Sequence, residues 1–332
     1  MIGSAGKNAI VDSGVFSAHD SRLFRRRLLR WYAANQRDLP WRSTRDPYRI
    51  WVSEIMLQQT RVAVVVEYYA RFVRSFPDVQ ALASAPLSSV LACWSGLGYY
   101  RRARMMHQAA KEMLRSHNGR LPATAEALRT LPGIGRYTAG AIASIAFGEP
   151  VPVVDGNVQR VTERMCGREL PREQVWAMAE ALLGRRAPGD FNQAMMELGA
   201  TVCLPRDPKC LLCPLASLCR AKGPLTKPRR QARRKQDISF LLDCRHDSVF
   251  LVRRPKGAAL MAGMWELPEI ADLNGNARWT LKHSVTVTDY TVRVAEGEVP
   301  AGSKGQRIAC TRLAAIPLTG VTRKILRAAN VI

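Results

Sequence analysis

The sequence predicts a mainly α-helical N-terminal domain followed by a smaller α+β domain, and three features along the chain support this fold class. Residues 21–222 carry apolar residues at helical spacing, interrupted by short breaks rich in proline and glycine. From residue 238 the chain changes to short runs rich in β-branched residues with turns between them, which is typical of strands. Between these regions, residues 222–237 hold seven basic residues, one acidic residue and two prolines. That composition predicts a linker at 223–237.

The length and the termini agree with this division. A chain of 332 residues fits about two domains, here 21–222 and 238–332. Residues 1–20 are small and polar, so we expect a mobile tail there. They contain no continuous apolar segment typical of a signal peptide, and no run of 18 apolar residues predicts a membrane-spanning helix. We therefore expect a monomeric intracellular protein, cytoplasmic in a bacterium, with no membrane partner.

The charge of the chain indicates a polyanionic partner. Lysine and arginine number 50 against 27 acidic residues, which gives a formal net charge of +23. An excess of this size is typical of nucleic-acid-binding proteins. The alternative at this level is a basic protein without such a partner.

The segment from Leu131 to Val158 combines a glycine hairpin with a carboxylate. Gly133 and Gly135 predict a tight turn before a helix with an apolar stripe, so unpaired backbone N–H groups at the helix start are available to a phosphate. Asp155 follows two chain-breaking prolines. The alternative interpretation is a glycine turn between two helices with a helix-capping aspartate.

Eight cysteines divide into two groups. Four are scattered in apolar contexts and are predicted to be buried structural thiols: Cys93, Cys166, Cys244 and Cys310. The other four have a 6-2-5 spacing that predicts a metal site, since no export signal favours disulfides: Cys203, Cys210, Cys213 and Cys219. Four thiolates suit either structural zinc or a cubane iron–sulfur cluster.

Two further blocks contain polar residues among apolar ones. Glu54, Gln58 and Gln59 precede the apolar stripe of a predicted helix, and spacing alone does not make Glu54 catalytic. Residues 94–104 mix two glycines, paired tyrosines and three arginines, which suits an element pressed into a DNA groove. The alternative for the second block is a connecting turn with packed aromatic side chains.

Four of these segments share a resemblance. Residues 131–158 resemble the helix–hairpin–helix motif of the base-excision DNA glycosylases, and the cysteine spacing resembles the 4Fe–4S site of that superfamily. The run Trp-Val-Ser-Glu-Ile-Met-Leu-Gln-Gln-Thr at 51–60 closely resembles the signature of adenine DNA glycosylases of the MutY type, and residues 94–104 are also similar to that family. Bifunctional members of the superfamily carry a lysine where this chain has Tyr137. Because a phenol cannot form an imine, the resemblance implies a monofunctional enzyme that uses water.

The resemblance also implies a role for each site residue. Glu54 would protonate the adenine, which requires a pKa raised by burial. Asp155 would stabilise the sugar cation, supported by hydrogen bonds from Tyr137 and Asn157. Trp41, Arg42 and Gln193 would line the adenine pocket. Gln59 and Tyr99 would fill and wedge the duplex where the base has left the stack. The other DNA-binding residues would be Gln58, which contacts the DNA, and Gly133 and Gly135, which lie at a phosphate. The family fold packs the first helix with residues after about 160.

The C-terminal region resembles the family more weakly. Residues 263–268 are similar to the Nudix-like domain of MutY enzymes, but residues 238–332 lack a glycine-led Nudix box, which argues against a nucleotide-pool hydrolase. MutY enzymes carry a Phe-Ser-His loop that contacts 8-oxoguanine, and the aligned residues here are Val285-Thr286-Val287. Thr286 keeps the hydroxyl; alternatively, His283-Ser284 supplies the contact.

The function implied by the resemblance is excision of adenine opposite 8-oxoguanine or guanine in double-stranded DNA, with a 4Fe–4S cluster as cofactor. Two alternatives remain open at this point. A thymine–guanine mismatch glycosylase shares the fold, the cluster and the hairpin tyrosine. A nonenzymatic iron–sulfur DNA-binding protein belongs to a different class.

Overall fold

The computed structural model describes residues 17–225, 232–258, 260–271, 273 and 277–332. These residues form two compact units, one from 1–59 with 112–229 and the other from 60–111 with 230–332. The units therefore do not follow the order of the chain, since residues 60–111 group with the C-terminal region. Most of the predicted tail lies outside the described residues. Its last residues, from Ala18, already belong to the first helix, where Ser17 and Asp20 form a capping box.

Helices dominate the chain up to residue 201. They are α1 (Ala18–Asn35), α2 (Pro47–Leu57), α3 (Val62–Ser75), α4 (Val79–Ser84), α5 (Leu87–Trp94), α6 (Arg101–Ser116), α7 (Ala125–Leu128), α8 (Arg136–Phe147), α9 (Gly156–Cys166), α10 (Arg172–Leu182) and α11 (Pro188–Thr201); α12 (Gly320–Ala328) lies near the C-terminus. This confirms the predicted helical region. No helix in the described part of the chain is long and apolar enough to cross a membrane.

Two packing contacts in the first unit position the site. The apolar face of α1, with Phe24 and Leu28, packs in one core with residues of α9, α10 and α11, as the resemblance implied. Helix α2 packs against α8. Helix α2 is anchored by Pro47 in its first turn and by Asp46, whose side chain accepts hydrogen bonds from the backbone N–H groups of Tyr48 and Arg49.

The C-terminal part of the second unit contains two small sheets. Strand β1 (Arg234–Leu242) pairs in parallel with β7 (Thr288–Glu296), with β5 (Glu269–Ile270) and β6 (Trp279–Val285) at the edges. The second sheet joins β3 (Ser248–Arg253) to β2 (Cys244–Arg245), β4 (Trp265–Glu266) and β8 (Gln306–Ala309). Side chains from both sheets and α12 share one apolar core. The predicted strand-rich texture is confirmed, although β1 begins at Arg234, inside the predicted linker.

Candidate active site

Glu54 is a buried carboxyl on the face of α2 that packs against α8. Glu54 is 5% exposed, and the phenol of Tyr137 donates a hydrogen bond of 2.9 Å to Glu54 Oε2. Tyr137 occupies the first turn of α8, so the contact between α2 and α8 brings the two groups together. The sequence predicted both residues for the site but gave no sign that they contact each other.

The environment of Glu54 favours its protonated form near neutral pH. The pKa of Glu54 is raised from 4.5 to about 7, chiefly by burial and to a smaller extent by the negative charge of Asp155, while the hydrogen bond from Tyr137 and the charge of Arg42 oppose the rise. Burial and the two carboxyl groups hold the pKa of Tyr137 well above 10. Tyr137 therefore stays a phenol and donates its proton to Glu54.

The predicted partner of Tyr137 was wrong. The resemblance assigned its hydrogen bond to Asp155, but the phenol bonds to Glu54 and lies 3.3 Å from Met196 Sδ. The physical reason is that the packing of α2 against α8 brings Glu54 to the phenol, whereas Asp155 caps a different helix. Its Oδ1 accepts from the backbone N–H groups of Asn157 at 2.9 Å and Val158 at 2.8 Å.

Asp155 is both the N-cap of α9 and the partner of Asn157. The Asn157 side-chain amide donates to Asp155 Oδ2 at 2.8 Å, which confirms the predicted support from this residue. The capping interpretation of Asp155 is thus also confirmed. The helix-capping and the catalytic interpretations of Asp155 are compatible. The cap bonds fix the orientation of its carboxylate, and the residue is still only half-buried.

Arg160 is a residue of this site that the sequence did not reveal. Its guanidinium donates to Asn157 Oδ1 at 2.8 Å and to the carbonyl oxygens of Gly199 at 2.7 Å and Cys203 at 2.8 Å. Because Asn157 in turn holds Asp155, one side chain joins the start of α9 to the first of the four spaced cysteines. The available signal was its position three residues after Asn157 on the same helix face.

Trp41 and Arg42 were predicted for the adenine pocket, and the structure holds Arg42 in a buried ion pair. Trp41 is 6% exposed. Arg42 Nη2 lies 2.7 Å from Glu197 Oε2, and Arg37 binds the same carboxylate through Nε and Nη2 at 2.7 Å each. Burial alone would raise the pKa of Glu197, but the hydrogen bonds from the two arginines lower it to about 2. The sequence gave no signal for Glu197, whose side chain is fully enclosed.

The glycine hairpin stands at the start of α8, as predicted. Gly133 has φ of 77°, which requires glycine, whereas Gly135 has φ of −89° and caps the helix without a side-chain hydrogen bond. A Cβ at Gly135 would meet nothing within 4 Å. Gly135 therefore leaves the first N–H groups of α8 unobstructed, while only Gly133 is needed for the turn itself.

The four spaced cysteines line a single cavity of about 450 Å³. Arg164 Nη1 donates to Cys203 Sγ at 3.2 Å, and Cys219 Sγ donates to the Arg164 carbonyl at 3.4 Å. Among the described residues, no three histidine, cysteine or acidic side chains converge as they would around one metal ion. Of the scattered cysteines, only Cys166 is buried as predicted; Cys93, Cys244 and Cys310 are half-buried.

The remaining pocket and duplex residues occupy exposed or half-buried positions. Gln58 Nε2 donates to Thr138 Oγ1 at 3.2 Å, and Gln193 is half-buried on α11. Gln59 and Tyr99 are exposed and have φ of 56° and 46°, a conformation that is strained for residues other than glycine. This exposure fits the predicted contact with a ligand.

The β6–β7 hairpin carries the predicted lesion-reading hydroxyls. Thr286 lies in the turn with φ of 51° and is exposed. Ser284, on β6, donates to Asp289 Oδ1 at 2.5 Å, and Asp289 also pairs with Arg233 at 2.8 Å. The sequence did not indicate Asp289.

Comparison with known sequences places this site in a family. Residues 52–182 match the model described as HhH-GPD superfamily base excision DNA repair protein. The adenine DNA glycosylase of Mus musculus is 41% identical in an alignment of 315 residues, and the match covers 76% of this chain and 61% of the mouse protein. The adenine DNA glycosylase of Buchnera aphidicola subsp. Baizongia pistaciae is 34% identical, covering 81% of this chain and 80% of that protein. The chain thus spans less than two thirds of the mammalian relative.

Solved structures agree at the level of the fold. A thermostable thymine-DNA glycosylase matches with a TM-score of 0.58 and 32% identity, covering 61% of this chain and 96% of that one. An endonuclease III in a non-covalent DNA complex matches with a TM-score of 0.54 and 23% identity, which shows the shared fold alone. Because this chain covers 80% of the length of the Buchnera protein at 34% identity, the chain belongs to the family of the adenine DNA glycosylases.

Proposed function

We propose that the protein is a monofunctional DNA glycosylase that releases adenine from mispairs with 8-oxoguanine or guanine. The observation that carries this proposal is the buried Glu54 carboxyl, whose pKa is raised to about 7 and which is bonded to Tyr137, in the same compact unit as Asp155. Adenine leaves poorly as an anion, so its excision needs an acid of this kind.

Glu54 supplies that acid. A carboxyl group with a pKa of about 7 is protonated in about half of the molecules at neutral pH, and it is still acidic enough to give up its proton in the reaction. Protonation of adenine N7 weakens the N-glycosidic bond. The Tyr137 phenol stabilises the carboxylate that remains after the proton has left, because it already donates to Oε2.

Asp155 stabilises the positive charge that develops on the deoxyribose. As the base leaves, the sugar gains oxocarbenium character, and a carboxylate stabilises or traps it as in retaining glycoside hydrolysis. The Asn157 amide and the cap bonds of α9 hold that carboxylate in a fixed direction. Water then completes the hydrolysis.

Position 137 carries a phenol instead of an amine, and this determines whether the DNA strand is cut after the base is lost. Tyr137 cannot form a Schiff base with the sugar, so base loss leaves the DNA backbone intact. Borohydride should therefore trap little protein on DNA, and strand breaks should appear only after alkali or heat. Efficient trapping of the wild-type protein would contradict the monofunctional assignment.

The duplex is held by charge and opened by exposed side chains. The net charge of +23 supports binding to phosphates, and the open N-terminus of α8 suits one phosphate.

Extruding a base costs a few kcal/mol. We assign Gln59 and Tyr99 to filling and wedging the stack, and Trp41, Arg42 and Gln193 to the adenine pocket. Thr286 and Ser284, on a domain that we assign as Nudix-like, read the lesion.

We assign the four spaced cysteines to a 4Fe–4S cluster. All four line one cavity, and their asymmetric 6-2-5 spacing supports a cluster over structural zinc. A cubane would take one cysteine at each of its four corners. Held by the four cysteines, a cluster would cross-link the loop 203–219, and Lys209 and Arg206 on this loop would present positive charge to the DNA backbone.

The test is base release by substitution of either carboxyl group. Glu54→Gln and Asp155→Asn should each abolish adenine release from a duplex with adenine opposite 8-oxoguanine while duplex binding stays close to wild type. Equal losses of binding and release would assign both residues to structure. Glu67→Gln, an exposed acid outside this site, is the matched control and should release adenine normally.

A second candidate function is excision of thymine from thymine–guanine mispairs. It is favoured by the match to the thermostable thymine-DNA glycosylase, which covers 96% of that chain. Adenine and thymine differ in the atom that an acid can protonate, so a panel of duplexes separates the two. Release of thymine faster than adenine would select the second candidate.

A further inference from the structure

The loop that carries Tyr99 is fixed by the C-terminal helix α12 and the residues before it. Residues 60–111 and 230–332 belong to one compact unit. Ser95, four residues before Tyr99, has no exposed surface although it is polar. Its hydroxyl donates to the Leu318 carbonyl at 2.7 Å and accepts from Arg323 Nε at 3.2 Å. A buried serine with both bonds made holds two parts of the chain in one arrangement.

The backbone after Ser95 is held from a second side. The Tyr68 phenol donates to the Ser95 carbonyl at 3.0 Å, and the Gly96 N–H donates to the Tyr100 phenol at 3.2 Å. Gly96 has φ of 107°, and a Cβ there would collide with the Tyr68 hydroxyl. The Tyr100 phenol also donates to the Leu318 carbonyl at 3.4 Å. Tyr99 therefore lies beside a residue whose side chain is bonded to the C-terminal region.

Arg323 is the charged member of this group. It is half-buried, and no carboxylate in the described part of the chain forms an ion pair with it. Burial lowers the pKa of Arg323, and the phenols of Tyr68 and Tyr100 oppose that effect. Even partial burial of a cation without a counter-ion is unfavourable for stability alone. The side-chain hydrogen bond that the structure gives Arg323 is the one to Ser95.

Tyr99 itself is presented outward by this arrangement. It is 46% exposed with φ of 46°, and the Arg102 guanidinium lies 5.4 Å from its ring centre. Its neighbours Ser95, Gly96 and Tyr100 are held by hydrogen bonds, while Tyr99 itself remains partly exposed. A rigidly held, exposed aromatic ring suits insertion into a base stack.

We propose that Arg323 is a positioning residue that, through Ser95, holds the 95–100 loop in the shape that presents Tyr99 to the duplex. The C-terminal region thereby contributes to base extrusion as well as to lesion reading. The inference rests on the proposed wedge role of Tyr99. It assigns to α12 a function that requires no contact between α12 and DNA.

The test is a double-mutant cycle between Arg323 and Tyr99. Opening of the stack is followed by the fluorescence of 2-aminopurine placed beside a mispaired adenine in a duplex of fixed sequence. Arg323→Met should lower the opening signal and weaken mispair binding by on the order of tenfold. In a Tyr99→Ala background, Arg323→Met should cause no further loss. Arg327→Met is the matched control, because Arg327 is exposed on the same helix and the charge change is identical.

Three results would overturn this inference. Losses that add fully in the double variant would show that Arg323 acts independently of Tyr99. An Arg323→Met effect equal to that of Arg327→Met would show that only charge is involved. If Arg323→Met does not fold, Ser95→Ala replaces it in the same cycle with the same expected result. A Tyr99→Ala variant that opens the stack normally would overturn the wedge role as well, whereas additive losses would leave that role intact.

Discussion

The raised pKa of Glu54 should make the protein less stable than its Glu54→Gln variant, and only above acidic pH. The folded protein holds the Glu54 proton up to about pH 7, whereas an unfolded glutamate loses it near 4.5. Between these values the folded state binds more protons, so stability falls as pH rises. Glutamine does not titrate, and its carbonyl still accepts the bond from Tyr137.

The size of the effect follows from the two pKa values. They differ by about 2.5, and each pKa unit corresponds to about 1.4 kcal/mol, which gives about 3.5 kcal/mol at pH 8 and close to zero below pH 4.5. For a folded unit of this size, that difference raises the unfolding midpoint by roughly 7–14 °C.

Thermal unfolding of wild type and Glu54→Gln, measured from pH 5 to pH 8.5, tests this directly. The gap between the two midpoints should widen from pH 5 to about pH 7 and then level off. Glu67→Gln, which removes an exposed carboxylate, should show no such widening. A constant gap at all pH values, or a gap that narrows with rising pH, would refute the reasoning for Glu54.

Three further predictions concern the other parts of the site. Asp155→Asn should keep the stability of wild type, because asparagine also caps helices, while single-turnover excision falls by at least a hundredfold; a large loss of unfolding midpoint would indicate a structural role. Cys210→Ser should lose iron, colour and duplex affinity together, measured by metal analysis and gel shift, and stoichiometric zinc in the wild type would contradict the ligand assignment. Thr286→Ala should lower the preference for 8-oxoguanine over guanine more than Ser284→Ala, since the Ser284 proton is already donated to Asp289. Equal effects would show that the turn hydroxyl is not the reader.

Motif residues could be predicted from the sequence because each has a local signal. Gly133 is needed for a left-handed turn, Asp155 precedes a helix, and the cysteines have a ligand spacing. The structure confirms the left-handed turn at Gly133 and the helix start at Asp155. It places the four cysteines around one cavity, but among the described residues no three of them converge as around one metal ion. The helical and strand-rich regions were likewise predictable from periodicity.

Long-range partners could not be predicted in this way. Glu197 lies 160 residues from Arg37, and nothing near it in the sequence marks it as the buried partner of two arginines. The bond from Tyr137 to Glu54 depends on how α2 packs against α8, and the sequence-based assignment to Asp155 was wrong for that reason. The association of residues 60–111 with the C-terminal region was also invisible in the sequence, because it depends on contacts such as that of Ser95 with Leu318.

Truncation is therefore a poor test of the C-terminal region, since residues 230–332 complete a compact unit with 60–111. Point substitutions on the β6–β7 hairpin leave that unit intact. For the same reason, every comparison of substrates is best made with the full chain.

The most direct test of the central claim is single-turnover base release from four matched duplexes that carry adenine opposite 8-oxoguanine, guanine or thymine, or thymine opposite guanine. The account predicts fast adenine release opposite 8-oxoguanine and guanine, little release from the other two, and strands that break only after alkali. The rate should also decline above about pH 7, as Glu54 loses its proton. Release of thymine instead of adenine, or strand cleavage without alkali, would contradict the account.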